Sequence, residues 1–123
     1  MTQAIIQRKS KEYITKDNKS PFCLWLKSLK DAKTKAKITK AIAKMRNGNF
    51  GDKKTIQNGH GLYERRIDYG PGYRIYYIIE GKKLIIIFGG SDKSEQQKTI
   101  DKCKDYLNDY KSRKKEQIRS SSK

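Results

Sequence analysis

The stretch from Leu62 to Gln97, LYERRIDYGPGYRIYYIIEGKKLIIIFGGSDKSEQQ, constrains this chain more than any other. Three short runs rich in β-branched and aromatic residues are divided by two glycine-bearing turns, which is the pattern of an antiparallel meander. Leu62–Asp68 alternates, with Tyr63, Arg65 and Ile67 on one face and Glu64, Arg66 and Asp68 on the other. Tyr69-Gly70-Pro71-Gly72 reads as a turn, the glycines supplying positive φ and Pro71 fixing its own. Tyr73–Glu80 sends Tyr73, Ile75, Tyr77 and Ile79 one way and Arg74, Tyr76 and Ile78 the other. After a hairpin at Glu80-Gly81-Lys82-Lys83, Leu84–Phe88 is apolar on both faces, as a central, covered strand should be. Gly89-Gly90 then opens a polar, lysine-bearing segment. With the apolar faces packed on helices, Glu64, Arg66, Asp68, Arg74 and Tyr76 share the opposite face. That cluster holds two guanidiniums beside a tyrosine, either as solvated surface groups or as a phosphate site.

The rest of the chain supplies the packing partners. Ala4–Ile14 reads as a weak first strand or sheet edge. Ser20-Pro21 starts a helix, with serine as N-cap and proline at the first helical position, where its missing N–H costs nothing. Phe22, Trp25, Leu26 and Leu29 follow at helical spacing, so Trp25 reads as a core anchor. Asp31 caps a second helix over Lys33–Asn47 that stops at Gly48, with Ile38, Ala41, Ile42 and Met45 as its apolar stripe. Opposite that stripe, Lys33, Lys37, Lys40 and Lys44 project along one side, as a solvated face or as a ridge for phosphates. Asn47–Gly61 is rich in Gly and Asn and reads as a loop; its His60 has no acid at a recognisable spacing. Beyond the Gly-Gly step, Ser91 or Ser94 can cap a last helix carrying Gln96, Ile100, Cys103, Leu107 and Tyr110 on one side. No internal repeat is visible.

One domain, residues 1–110, fits this length, followed by a basic, Ser-rich tail over 111–123 expected to be flexible. The formal net charge of +17 points to a polyanionic partner, whether nucleic acid, the ribosome, an acidic protein or, least of these, a membrane surface, with a lysine-rich solvated surface as the alternative. Its distribution is uneven: residues 27–54 carry +8 and 111–123 carry +5, whereas 55–110 carry only +1. No apolar run is long enough to span a bilayer, so neither a membrane nor a membrane partner is expected. Cys23 and Cys103, without a CxxC pattern or a histidine nearby, read as reduced thiols of a cytoplasmic protein, with no metal site and no cofactor.

Tyr63–Asp68, followed by Gly70-Pro71-Gly72-Tyr73-Arg74-Ile75-Tyr76-Tyr77, resembles the central signature of the RelE/ParE/HigB superfamily of bacterial toxins. Gly89-Gly90-Ser91-Asp92-Lys93-Ser94, with Gln96 and Ile100, resembles the matching segment of its phage-related addiction-module killer branch, the HigB-like group. The resemblance covers about residues 20–108. It implies an α+β fold, a hairpin of two N-terminal helices packed on a small twisted antiparallel sheet with a C-terminal helix. It implies a toxin of a type II toxin-antitoxin module, held by a small antitoxin, expected to be a helix-turn-helix protein. In most branches the toxin is a ribosome-dependent endoribonuclease that cuts mRNA without a metal, the ribose 2′-OH attacking the adjacent phosphate. Such chemistry needs a proton acceptor, cations for the phosphorane charge and a donor for the leaving oxygen.

Carried onto this chain, the resemblance makes Arg74 and Lys93 phosphate-stabilising cations, and puts Arg66 where RelE-type members carry a functional lysine. Glu64 stands at a second lysine position, and Gln96 and Gln97 stand near that of a tyrosine. Arg65 replaces a residue that is usually apolar. Arginine is no base, because its pKa lies above about 12. The catalytic cations would therefore be Arg66, Arg74 and Lys93. Proton movement would fall to Glu64, Tyr73, Tyr76 or Asp92, or to ribosomal groups, and RNA contacts to Lys33, Lys37, Lys40 and Lys44. Two alternatives stay open: a ParE-like poison of DNA gyrase, and a non-catalytic RNA- or ribosome-binding module.

Overall fold

Two neighbouring strands carry the fold, because both are buried on both faces. In the computed structural model, which describes residues 7–121, they are β4 (Tyr73–Glu80) and β5 (Leu84–Asp92). Around them the chain runs through β1 (Lys9–Glu12), α1 (Pro21–Ser28), α2 (Ala32–Arg46), β2 (Asp52–Thr55) and β3 (Tyr63–Ile67). After β5, a single 3₁₀ turn at Lys93–Glu95 leads into α3 (Gln96–Ser121). The sheet order is β1-β5-β4-β3-β2. The protein is α+β: two N-terminal helices, a five-stranded mixed sheet, and a long C-terminal helix packed on that sheet.

Strand alternation splits the apolar residues into two cores. Ile75 and Tyr77 of β4, with Ile85 and Ile87 of β5, pack on Phe22 of α1 and on Ile38, Ala41, Ile42 and Met45 of α2. Tyr76, Ile78, Ile86 and Phe88 face the other way, onto Ile100, Cys103 and Leu107 of α3. The faces assigned to Tyr73–Glu80 from its alternation are therefore the observed ones. So are the helix starts: the Ser20 side chain accepts from Cys23 N, and that of Asp31 accepts from Lys33 N.

A β-bulge adjusts this pattern near the end of β5. Tyr76 pairs with Gly89 but Tyr77 pairs with Ile87, which leaves Phe88 as the extra residue. A Cβ on Gly89 would meet Cys103 of α3 at 3.1 Å, whereas one on Gly90 would lie 2.3 Å from the ring of Trp25. The Gly-Gly step does not end the strand, as its polar sequel suggested. It lets β5 continue to Asp92 while two helices approach its backbone from opposite sides.

Five further expectations change. The sheet is not wholly antiparallel, since β1 runs parallel to β5, pairing Lys9 with Leu84 through Glu12 with Ile87. The α1–α2 segment carries the chain over the sheet to allow that parallel pairing. The predicted first strand is realised only over Lys9–Glu12 among the described residues; Ala4–Ile6 lie outside them. The loop expected over 47–61 contains β2, an edge strand paired with β3, whose four exposed residues give no alternation to read. The cap before the last helix is Asp92, which accepts from Glu95 N, rather than Ser91 or Ser94. Finally, the segment expected as a loose tail is helical through Ser121. Glu80 anchors it by accepting from Tyr110 Oη at 2.6 Å and pairing with Lys114, and Lys111 Nζ donates to the carbonyl of His60 at 3.0 Å. No helix among the described residues is long and apolar enough to cross a membrane.

The Gly90–Trp25 contact yields a direct test. Gly90→Ala should destabilise the protein by about 1–3 kcal/mol through overpacking, and Gly90→Ala combined with Trp25→Leu should recover part of that loss. Urea denaturation of wild type, the two single variants and the double variant checks both; equal stability of Gly90→Ala and wild type would contradict the packing described.

Candidate functional site

The turn between β3 and β4 gathers the residues singled out from the sequence. Tyr69 N donates to Ile67 O and Gly72 N to Tyr69 O, both at 3.0 Å, while Gly70 and Gly72 adopt φ values of 56° and 83°. Lys93 N donates to Gly72 O at 3.0 Å, which ties the 3₁₀ turn after β5 to this loop. Arg66 lies opposite Arg74 across β3–β4, and Tyr73 opposite Asp92 across β4–β5. The result is a cleft of about 380 Å³ lined by Arg66, Tyr73, Arg74, Lys93, Asp52 and Asp68. All three proposed catalytic cations and one proposed proton mover thus share one cavity.

Their environments differ. Lys93 is exposed, and Arg66 is half-exposed, with its Nη2 3.1 Å from Asp52 Oδ1. An ion pair this exposed contributes little and leaves the guanidinium available to an anion. Arg74 is fixed instead. Its Nε stands 2.8 Å from Glu64 Oε1, with side chains only 10% and 2% exposed. The Nε–H is not aligned on that oxygen, so the contact is chiefly Coulombic. Gln96, in the first turn of α3, donates from Nε2 to the same oxygen at 2.8 Å.

This corrects the picture of an open polar face. Glu64, Arg74 and Tyr76 do lie opposite the α1–α2 side, but all three are buried, Glu64 beneath Gln96 and Tyr76 against Ile100 and Cys103 of α3. Tyr76 is fully buried, with its hydroxyl 3.0 Å from Ser91 Oγ, and burial drives its pKa upward. Glu64 is buried and engaged by Arg74 and Gln96. Asp92 caps the 3₁₀ turn: its Oδ1 accepts from Ser94 Oγ at 2.6 Å and Glu95 N at 3.1 Å. The Ser94 hydrogen bond is the main reason its carboxyl titrates below the usual range, with the Glu95 N–H and Arg74 adding to it against partial burial. Of the four proton-mover candidates, only Tyr73 lines the cleft without being buried or committed as a cap.

The lysine ridge adjoins this cavity. Lys33, Lys37, Lys40 and Lys44 are all exposed along α2. The last three line a second cleft, of about 200 Å³, together with Arg65 and Tyr69. Ile67 and Asp68 border both clefts, so the ridge and the arginine cleft are continuous across the end of β3. Lys37 Nζ lies 4.7 Å from the centroid of the Tyr69 ring, a cation–π contact that ties the ridge to the β3–β4 turn. Lys33 borders neither cavity.

Asp52 in the arginine cleft, Arg65 in the lysine cleft and Gln96 on Glu64 are neighbours that sequence reasoning gave no role. Asp52 sits in the unrecognised edge strand. Gln96 was legible in part, since an amide four residues before Ile100 on a buried stripe requires a polar partner beneath it. Among the described residues, no three His, Cys, Asp or Glu side chains gather where they could hold a metal ion.

Comparison with known proteins adds one relationship. No protein-family model matches the chain. It is 43% identical over 83 residues to an uncharacterized protein of Haemophilus influenzae, an alignment covering 68% of this chain and 82% of that one.

Two outcomes follow from the geometry. Glu64→Gln and Arg74→Met should each cost about 3–5 kcal/mol by stranding a buried partner, and the double variant should cost clearly less than their sum; denaturant titration completes the cycle. For Asp92, the lowered folded-state pKa means its stabilising charge is present above the unfolded value, about 3.9, and is lost as pH falls through the folded one. Asp92→Asn should therefore be less stable than wild type at neutral pH, with the gap closing below about pH 4 in thermal melts.

Proposed function

The chain belongs to the family of that Haemophilus influenzae protein, and from the cationic cleft we propose that it is a toxin of a type II toxin-antitoxin module, with a RelE/ParE-like fold and endoribonuclease activity on ribosome-bound mRNA. The observation that carries this reading is the convergence of Arg66, Arg74 and Lys93 with Tyr73 on one cavity, beside a continuous lysine ridge. Lys37, Lys40 and Lys44 draw the RNA backbone toward the sheet, and Lys33 extends the ridge beyond the clefts. Arg66 and Lys93 hold the scissile phosphate, while the buried Glu64 keeps the Arg74 guanidinium in place at the cleft wall. The reaction forms a bond from the ribose 2′-oxygen to phosphorus and breaks the bond from phosphorus to the 5′-oxygen, leaving a cyclic phosphate. The three cations stabilise the charge that develops on the phosphorane. The Tyr73 phenol donates a proton to the departing 5′-oxygen. The 2′-OH proton passes to a ribosomal group or to water, because Glu64 and Asp92 are engaged within the protein. The need for a 2′-OH makes RNA the substrate. The partners that go with this reading are the ribosome, mRNA and a small antitoxin, a helix-turn-helix protein, all in the cytoplasm.

The commitment of Glu64, Tyr76 and Asp92 to structural bonds also favours a second reading, in which the same cleft binds without cutting. The target is then RNA or the ribosome, or DNA gyrase as for ParE-type toxins.

Inducible expression with mapping of mRNA 5′ ends separates these readings. Wild type should arrest growth and generate new ends inside translated frames. Arg66→Ala and Lys93→Ala should each lower cleavage on the order of 10²-fold, and neither disturbs the buried Arg74 pair. Arrest with intact mRNA and a DNA-damage response supports the gyrase reading, and arrest with neither supports binding alone.

A further inference from the structure

Glu64 and Asp92 are engaged within the protein, but two further carboxylates border the arginine cleft, Asp52 and Asp68. Asp52 is the one held against a phosphate-binding cation, with its Oδ1 3.1 Å from Arg66 Nη2. Its side chain is 57% exposed, so water reaches the carboxylate freely. A water that accepts the 2′-OH proton needs a group to hand it to. We propose that Asp52 is that group, the final acceptor of the 2′-OH proton through one water. This inference rests on the cleavage reading above and adds a residue to its mechanism.

The edge strand presents Asp52 in a fixed register. Gly51, at φ 55°, turns the chain into β2, and its N–H donates to Asn49 Oδ1 at 3.1 Å. A Cβ on Gly51 would stand 2.3 Å from Arg65 Cζ, so the side chain of β3 lies directly on the start of β2. Asp52 then falls opposite Arg66, and Arg66 opposite Arg74. Directly opposed residues share one face of a sheet, with neighbouring strands about 4.8 Å apart. A carboxylate and two guanidiniums therefore form one row across β2, β3 and β4. Tyr73 precedes Arg74 and lines the same cleft. Asp52 and the tyrosine thus start two strands, or about 10 Å, apart, with Arg66 on the strand between. An in-line displacement places the attacking and leaving oxygens on opposite sides of phosphorus. A phosphate on Arg66 meets that demand, with Asp52 toward the entering 2′-oxygen and Tyr73 toward the departing 5′-oxygen.

One cation can hold both the acceptor and the phosphate, because a guanidinium carries five N–H donors in a fork. A carboxylate that reaches the reacting proton through one water satisfies the distance requirement for a general base. The 2′-OH gives its proton to the water as the bond from the 2′-oxygen to phosphorus forms, and the water passes a proton to Asp52. The bond from phosphorus to the 5′-oxygen breaks as Tyr73 protonates that oxygen. Asp52 ends protonated and Tyr73 ionised, and solvent in the open cleft restores both. Asp68 also borders the cleft, but among the described residues it forms no ion pair with Arg66, Arg74 or Lys93. The charge of Asp52 has a second effect, since a carboxylate beside Arg66 repels the phosphate it helps to cleave. Removing that charge while keeping the shape should therefore strengthen binding and weaken cleavage together.

The test is cleavage of a translated mRNA on purified ribosomes with the full chain in excess. It reads the rate at saturation and the protein concentration that half-saturates it. Asp52→Asn keeps an oxygen for Arg66 but takes up no proton, and it alters only an exposed edge strand. It should lower the saturating rate on the order of 10²-fold, while the half-saturating concentration stays level or falls. Asp52→Glu should recover most of the rate, with circular dichroism confirming the fold of both variants. The assignment is overturned by an unchanged saturating rate in Asp52→Asn, by a loss confined to the half-saturating concentration, or by a larger rate loss in Asp68→Asn. Each of these leaves the cleavage reading standing, whereas mRNA left whole by the wild type overturns both.

Discussion

The buried pairing of Glu64 with Arg74 is the interaction on which the arrangement of this protein depends. It links β3 to β4 on the face that α3 covers, and Gln96 couples the start of α3 to it. Two charges held in a low-dielectric interior are costly unless each has the other and further hydrogen bonds. The pair therefore demands that strand register, helix position and the Gly-Pro-Gly turn all be correct at once. It also separates two environments, since Arg74 lines the cleft with Arg66 and Lys93 while Glu64 is buried beneath Gln96.

The electrostatics of the protein are consequently layered. Residues 55–110, which contain most of the sheet and the first part of α3, are nearly neutral in sum despite many charged side chains. The excess of lysine and arginine is concentrated on α2 and its flanks and at the chain's end. Long-range attraction is thus supplied from outside the cleft, while selectivity inside it comes from a few groups with fixed partners. Such separation allows the attracting surface to be strongly charged without loading the sheet with unpaired cations.

Much of the fold was legible because its signals are local. Ser20-Pro21 and Asp31 mark helix starts through their own side chains, and Tyr73–Glu80 declares both of its faces by alternation. What escaped was set by tertiary contact. β2 is four exposed polar residues made into a strand by pairing with β3. Gly89 and Gly90 looked like a terminator, yet they are small because Cys103 and Trp25 press on the strand from either side. The site was legible in its members: Arg66, Arg74 and Lys93 do converge. Their inequality was not, because nothing in the order of residues says that a helix starting at Gln96 will cover Glu64 and leave Arg66 open.

The parallel pairing of β1 with β5 has a consequence for synthesis. The first strand of the sheet finds its neighbour only after β5 has been made, and the helix that buries Glu64 and Tyr76 follows β5 in turn. A growing polypeptide on the ribosome therefore holds an incomplete sheet, with its central charged pair still open to water, until the start of α3 has emerged. Long-range pairing of this kind delays assembly of the native sheet. The ordered cationic cleft therefore waits on α3, which follows β5 and closes over the charged pair from which Arg74 takes its position.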